Sequence, residues 1–224
     1  MKFKIISIIF TLGFSVAMFA QDPGGNIVVG SSSFTVINKK EAADITIGKP
    51  YINEEFMESV VLDFEQPLSL RYNAYTDEME FEHEGKLYAL KKEDYPVVYL
   101  GIQKLKYEYL PYAKGRENLS GFLRVLEEGD NYKLYKKEEV SYTPYRKAAS
   151  SYEKDSPAQY KREKDKFFIK IGDSSIVEMP TNRNRFSKLF GSKENEINKF
   201  IKDNRINLDS EADLIRTIKY ANSL

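Results

Sequence analysis

The sequence predicts an α+β protein, mainly an antiparallel β-sheet meander with a short helical C-terminal segment. Three observations carry that reading: period-two alternation of apolar and polar residues across 48–179, turn residues between the alternating runs, and a change to helical spacing after Pro180.

The first 20 residues have the parts of a secretory signal peptide. Met1-Lys2-Phe3-Lys4 is a basic start, Ile5 to Phe14 is apolar, and small residues stand at Ala17 and Ala20 before Gln21-Asp22-Pro23. The apolar run is shorter than the roughly 20 residues a spanning helix needs, so no transmembrane span is expected once the signal is removed. The expected location is the periplasm or the cell exterior. Loss of Lys2 and Lys4 would take the formal charge from zero to about −2. A near-neutral chain with interspersed charges lacks the basic surplus of a nucleic-acid footprint.

Cysteine is absent, so disulfides, thiolate zinc sites, thiol catalysis and a lipid-modified cysteine anchor are all excluded. Sixteen Tyr and fourteen Phe, with no Trp, must fill the interior instead.

Residues 21–47 read as a Gly- and Ser-containing lead-in, flexible or contributing a strand or two. The β-rich domain follows over 48–179. Leu68 to Tyr72 and Glu78 to Glu82 alternate around a polar turn, and Lys86 to Leu90 follows a three-residue loop, His83-Glu84-Gly85. Val97 to Ile102 is an unbroken apolar run, expected as a central strand covered on both faces. Further strands are expected at Lys104–Tyr109, Gly121–Leu126, Tyr132–Lys137, Phe167–Ile171 and Ile176–Met179, with residues 150–166 read as a long charged surface loop. Over 180–224, Thr181, Ser192 and Ser210 are the expected caps of three short helices, with Gly191 ending the first. Leu214, Ile218 and Ala221 form the inner stripe of the third, which should pack with its neighbours on the sheet.

Little of this carries chemistry. His83 is the single histidine and sits in a turn between two glutamates, without a visible nucleophile. Glu78, Glu80 and Glu82 share one strand face, which closely spaced carboxylates use to hold a hard cation, but Lys86, Lys91 and Lys92 make a wet, charge-balanced face the simpler reading. Gly25 to Ser32 imitates the spacing of a phosphate-binding loop, yet Ser31 stands where its lysine belongs. No cofactor and no metal are expected. Tyrosines are dense at Tyr107, Tyr109 and Tyr112, and again at Tyr132, Tyr135, Tyr142, Tyr145 and Tyr152. Tyr107, Tyr109 and Tyr112 are the candidate binding residues for a protein, peptide or glycan ligand, provided that Tyr107 and Tyr109 are exposed on one face; otherwise such tyrosines fill the core.

Four segments, Lys49 to Phe56, Leu70 to Glu78, Ser156 to Tyr160 and Asp213 to Leu224, together resemble a recurrent set of uncharacterised exported proteins of Bacteroidota. The resemblance implies a compartment and a lineage. It transfers no activity and no site residue. The expected function is therefore a non-catalytic, exported binding or scaffolding protein. The alternatives are an extracytoplasmic hydrolase that attacks a polymer through paired carboxylates, and an outer-membrane barrel, against which the helical C-terminus stands.

Overall fold

Alternation becomes strand pairing through most of the expected β-rich domain. The computed structural model describes residues 24–29, 32–39, 46–64, 66–148 and 152–224, so the expected signal peptide and its cleavage site lie outside the described residues. In chain order the strands are β1 (Gly25–Val29), β2 (Ser32–Asn38), β3 (Thr46–Ile47), β4 (Met57–Val61), β5 (Leu68–Asn73), β6 (Glu78–His83), β7 (Lys86–Leu90), β8 (Val97–Leu100), β9 (Leu105–Lys114), β10 (Glu117–Glu128), β11 (Tyr132–Lys137), β12 (Val140–Thr143), β13 (Ala158–Arg162), β14 (Lys166–Ile171) and β15 (Ile176–Glu178). Three helices, α1 (Arg183–Lys188), α2 (Glu194–Asp203) and α3 (Glu211–Ser223), end the chain. The protein is α+β and mainly antiparallel.

Twelve strands form one sheet in the order β1-β2-β7-β6-β5-β4-β8-β9-β10-β11-β14-β15. Its second half closes on itself, because β15 pairs with β14 on one side and runs parallel to β9 on the other. Each strand of this five-membered ring sends one buried side chain to a shared core: Tyr112, Leu123, Tyr135, Phe168 and Ile176. Period two explains the other face. Leu134 opposes Ile169, one residue from the Tyr135–Phe168 pair, and both turn outward to meet Phe186, Ile197, Leu214 and Ile218 of the helices. Asn222 of α3 fastens this layer by accepting from Tyr132 N and donating to Tyr132 O, each at 2.9 Å. A third core, with Phe34, Leu70, Tyr72, Met79, Phe81, Tyr107 and Phe122, lies under the N-terminal strands.

Several expectations change in physical detail. The lead-in supplies an antiparallel hairpin, β1–β2, that extends the sheet through β7. Of the phosphate-loop imitation, Gly25–Val29 lies in β1 and Ser32 begins β2, while Gly30 and Ser31 lie outside the described residues. In β8 only Val98 and Leu100 are buried, and Ile102, in the turn beyond it, is 97% exposed. His83 pairs with Lys86, and the loop is the two-residue Glu84-Gly85 with both φ angles positive, the form whose twist suits a hairpin. The expected long loop at 150–166 contains β13, which pairs with β12 and with β3; only its Ala158 is buried, so it lacks the alternation that would reveal it. Asn182, not Thr181, caps α1 by accepting from Arg185 N at 3.1 Å. Ser192 lies inside a 3₁₀ turn at Gly191–Lys193 and caps nothing, whereas Ser210 does cap α3.

Candidate functional site

The turn from Asn73 to Asp77 is braced by hydrogen bonds at both ends. At its start, Asn73 Oδ1 accepts from the backbone N–H of Tyr75 and Thr76, both at 3.1 Å, while its amide donates to Glu80 Oε1 at 2.7 Å. At its end, Asp77 adopts φ 59°, and its carboxylate accepts from the Tyr72 hydroxyl at 2.6 Å, from Lys137 Nζ at 2.5 Å and from Phe122 N at 3.1 Å. Gly121 leaves the room this needs, since a Cβ there would fall 2.5 Å from Asp77 Oδ2. In the middle, Ala74 N donates to Pro50 O, and Val140 N donates to Ala74 O.

That last bond brings β12 alongside the turn. Tyr142 follows Val140 by one pleat, and Tyr160 stands opposite Tyr142 across β12–β13. The three rings of Tyr75, Tyr142 and Tyr160 therefore meet, with centroids 4.8 to 5.8 Å apart and planes inclined by 44° to 65°. Tyr75 is 46% and Tyr142 38% exposed, and Ile47 of β3 is also exposed. Burial, then the neighbouring Tyr75 and Tyr142 and the more distant Glu80, raise the Tyr160 phenol above its ordinary range. The outcome is a wet cluster of aromatic rings and hydroxyls on a rigid base.

Glu80 anchors that base. Only 1% exposed, it binds Arg71 (3.1 Å) and Asn73, and the Arg71 guanidinium is stacked between Tyr51 and Phe56 with centroids at 3.8 and 4.3 Å. The three-glutamate ladder is thus neither a cation site nor a uniformly wet face, because Glu80 turns inward to Arg71 and Glu78 pairs with Lys39. Among the described residues no group of His, Asp or Glu is placed to hold a metal ion. A second buried network surrounds Glu138, which accepts from the Tyr107 hydroxyl at 2.6 Å and lies near Lys136 at 3.2 Å; Lys136 in turn reaches Glu211 of α3 at 2.8 Å.

The sequence-predicted tyrosines fall elsewhere. Tyr107 is buried in the N-terminal core with its hydroxyl bound to Glu138, and Tyr112 is buried in the ring core. Tyr109 is half-buried, edge-on to Phe122. They form no common exposed face, because odd-numbered and even-numbered positions of β9 point to opposite sides and both sides are covered. The exposed aromatic cluster includes Tyr75, whose place in a polar turn is the available sequence signal for a wet ring.

Two cavities adjoin these features. One, of about 240 Å³, is apolar and lies between Ile52, Met57, Leu100 and Leu105, floored by Tyr72 and Tyr107. The other, of about 320 Å³, is bordered by three carboxylates, each ion-paired: Glu127 with Lys219, Glu128 with Lys106, and Glu211 with Lys136. Comparison of the chain with protein-family models, curated proteins and solved structures finds no match.

Proposed function

We propose that this is an exported, non-catalytic binding protein of the periplasm or cell surface, and that its Tyr75–Tyr142–Tyr160 cluster contacts a protein or peptide partner. The observation that carries the reading is the pinned turn: Tyr75 is presented by a loop fixed through buried ion networks at both ends, so little side-chain and loop ordering remains to oppose binding. Tyrosines supply large rigid contact area with a hydroxyl that stays wet, the usual material of a protein-recognition hot spot. The mutual tilt of the rings supports a protein segment over a sugar, because no broad coplanar face is offered for a pyranose to stack on. Pairing of each carboxylate bordering the 320 Å³ cleft with a cation supports binding over hydrolysis at that cleft, since hydrolysis needs one free carboxylate and one proton-bearing partner. The resemblance to exported Bacteroidota proteins belongs to the same reading.

Affinity capture from envelope extract, followed by titration of the identified partner against wild-type and Tyr142→Ser protein, tests it. A loss of at least about tenfold in affinity is expected for the variant. Unchanged affinity, or retention of a polysaccharide in place of a protein, would overturn the assignment of ligand and site. Recovery of an unprocessed chain from the cytoplasmic fraction would overturn export.

A further inference from the structure

The large sheet has one open edge among the described residues. At its far end β15 closes onto β9, but β1 hydrogen-bonds only to β2. Natural edges are normally guarded by lysine, proline or a bulge, which prevent another strand from adding on. β1 has none of these. Gly24 to Asn38 contains no charged residue and no proline in a chain that is 30% charged, and β1 pairs with β2 without a register shift from Gly25–Val36 to Val29–Ser32.

We infer that β1 is a self-association edge, at which a second copy of this chain adds its own β1 in antiparallel fashion. The residues say why the partner is the same strand. Pairing about a two-fold axis at Ile27 sets Ile27 opposite Ile27 and Gly25 opposite Val29, with Asn26 opposite Val28. Ile27 and Val29 already pack against the N-terminal core and are only partly buried, so the two copies continue one apolar layer across the junction. Val28, 62% exposed, lies on the other face with Asn26. An uncharged edge facing itself brings no like-charge repulsion, whereas a strand with the charge density of the rest of this chain would desolvate unpaired charges against Ile27 and Val29. Because the same patch serves both copies, association closes at two. Five residues per strand bury less than a standard interface, so the dimer is weak, with a midpoint of about 10 to 1,000 µM.

Sedimentation of the purified chain from about 10 µM to about 1 mM tests the inference. The weight-average mass should rise reversibly from one chain to two, and Val28→Lys, a change at an exposed site, should raise the midpoint at least about tenfold. The chain has no native cysteine, so Ile27→Cys gives an independent readout. Antiparallel neighbours bring Cα atoms to about 4.5–5.5 Å, within disulfide reach, and Ile27→Cys should cross-link under mild oxidation at least about tenfold faster than Asn118→Cys on an exposed end of β10. A monomer at every concentration, open-ended association, or equal cross-linking of the two cysteine variants would overturn it. If Val28→Lys fails to fold, the cysteine pair decides.

Discussion

Val140 donates its backbone N–H to the carbonyl of Ala74 at 3.2 Å, and through that bond the turn carrying Tyr75 is tied to the strand carrying Tyr142. The two tyrosines are far apart in sequence, yet their rings lie 5.8 Å apart because each sits a residue or two from this one link. Buried charge holds the link from below, with Asp77–Lys137 on one side and Glu80–Arg71 on the other.

Replacing Gly121 by Ala should disturb this arrangement directly. The added methyl would sit 2.5 Å from Asp77 Oδ2 and 3.0 Å from Lys137 Nζ, both already fixed by hydrogen bonds, so the ion pair must separate or the strand must shift. A loss of about 2–3 kcal/mol in urea unfolding is expected, accompanied by weaker binding at the Tyr75 cluster. Unaltered stability would show that Asp77 has freedom the structure denies it.

Removal of Glu80 leaves Arg71 largely buried without its counter-charge. Glu80→Ala should therefore destabilise by about 3 kcal/mol, and the double change Glu80→Ala/Arg71→Met should recover part of that loss because no buried charge is left behind. Thermal unfolding of the single and double variants distinguishes this from loss of packing alone, for which the second substitution gives no recovery.

The helix caps offer a clean contrast. Ser210→Ala and Asn182→Ala each remove an acceptor from a backbone N–H and should cost about 1 kcal/mol. Thr181→Ala and Ser192→Ala remove no cap and should stay within about 0.5 kcal/mol of the parent. Denaturant midpoints of the four variants check the ordering.

Alkali should titrate the interior late. Burial pushes the Tyr51, Tyr112 and Tyr135 phenols up to about 12, with nearby carboxylates adding to the effect, and burial raises Tyr72 and Tyr107 well above the ordinary value, with Asp77 and Glu138 respectively contributing. A phenol whose folded pKa exceeds its unfolded value of about 10 contributes stability that is complete below pH 10 and is lost as pH rises toward 12. Absorbance at 295 nm should thus show a late step near pH 12 that coincides with loss of near-UV circular dichroism. A single step near pH 10 with the fold retained would contradict the burial of Tyr72, Tyr107, Tyr112 and Tyr135 and the partial burial of Tyr51.

Strand periodicity made much of the sheet legible. Leu68 to Tyr72, Glu78 to Glu82, Lys86 to Leu90 and Tyr132 to Lys137 fall on strands within a residue, because the first two alternate and the last two each follow a Gly-containing turn. Ser210, Leu214, Ile218 and Ala221 are likewise where helical spacing puts them. β13 was hidden because Gln159-Tyr160-Lys161-Arg162 is wet on most sides, and α1 was shifted by one residue because Thr181 and Asn182 are both competent caps. The candidate site was illegible for a different reason. Alternation says that Tyr107 and Tyr109 share a side of β9, but not that both sides of this strand would be covered.

Residue order alone therefore determined local things: strands and helices where the apolar period is clear, a cysteine-free interior built from tyrosine and phenylalanine, and charges of both signs spread over the surface. Only the tertiary structure decided that β15 closes a ring with β9, that Glu80 turns inward to Arg71, and that Tyr75, Tyr142 and Tyr160 converge. Each of these joins residues distant along the chain. Such pairings are selected by the whole set of competing strand registers and buried charges, and no window of neighbouring residues contains that choice.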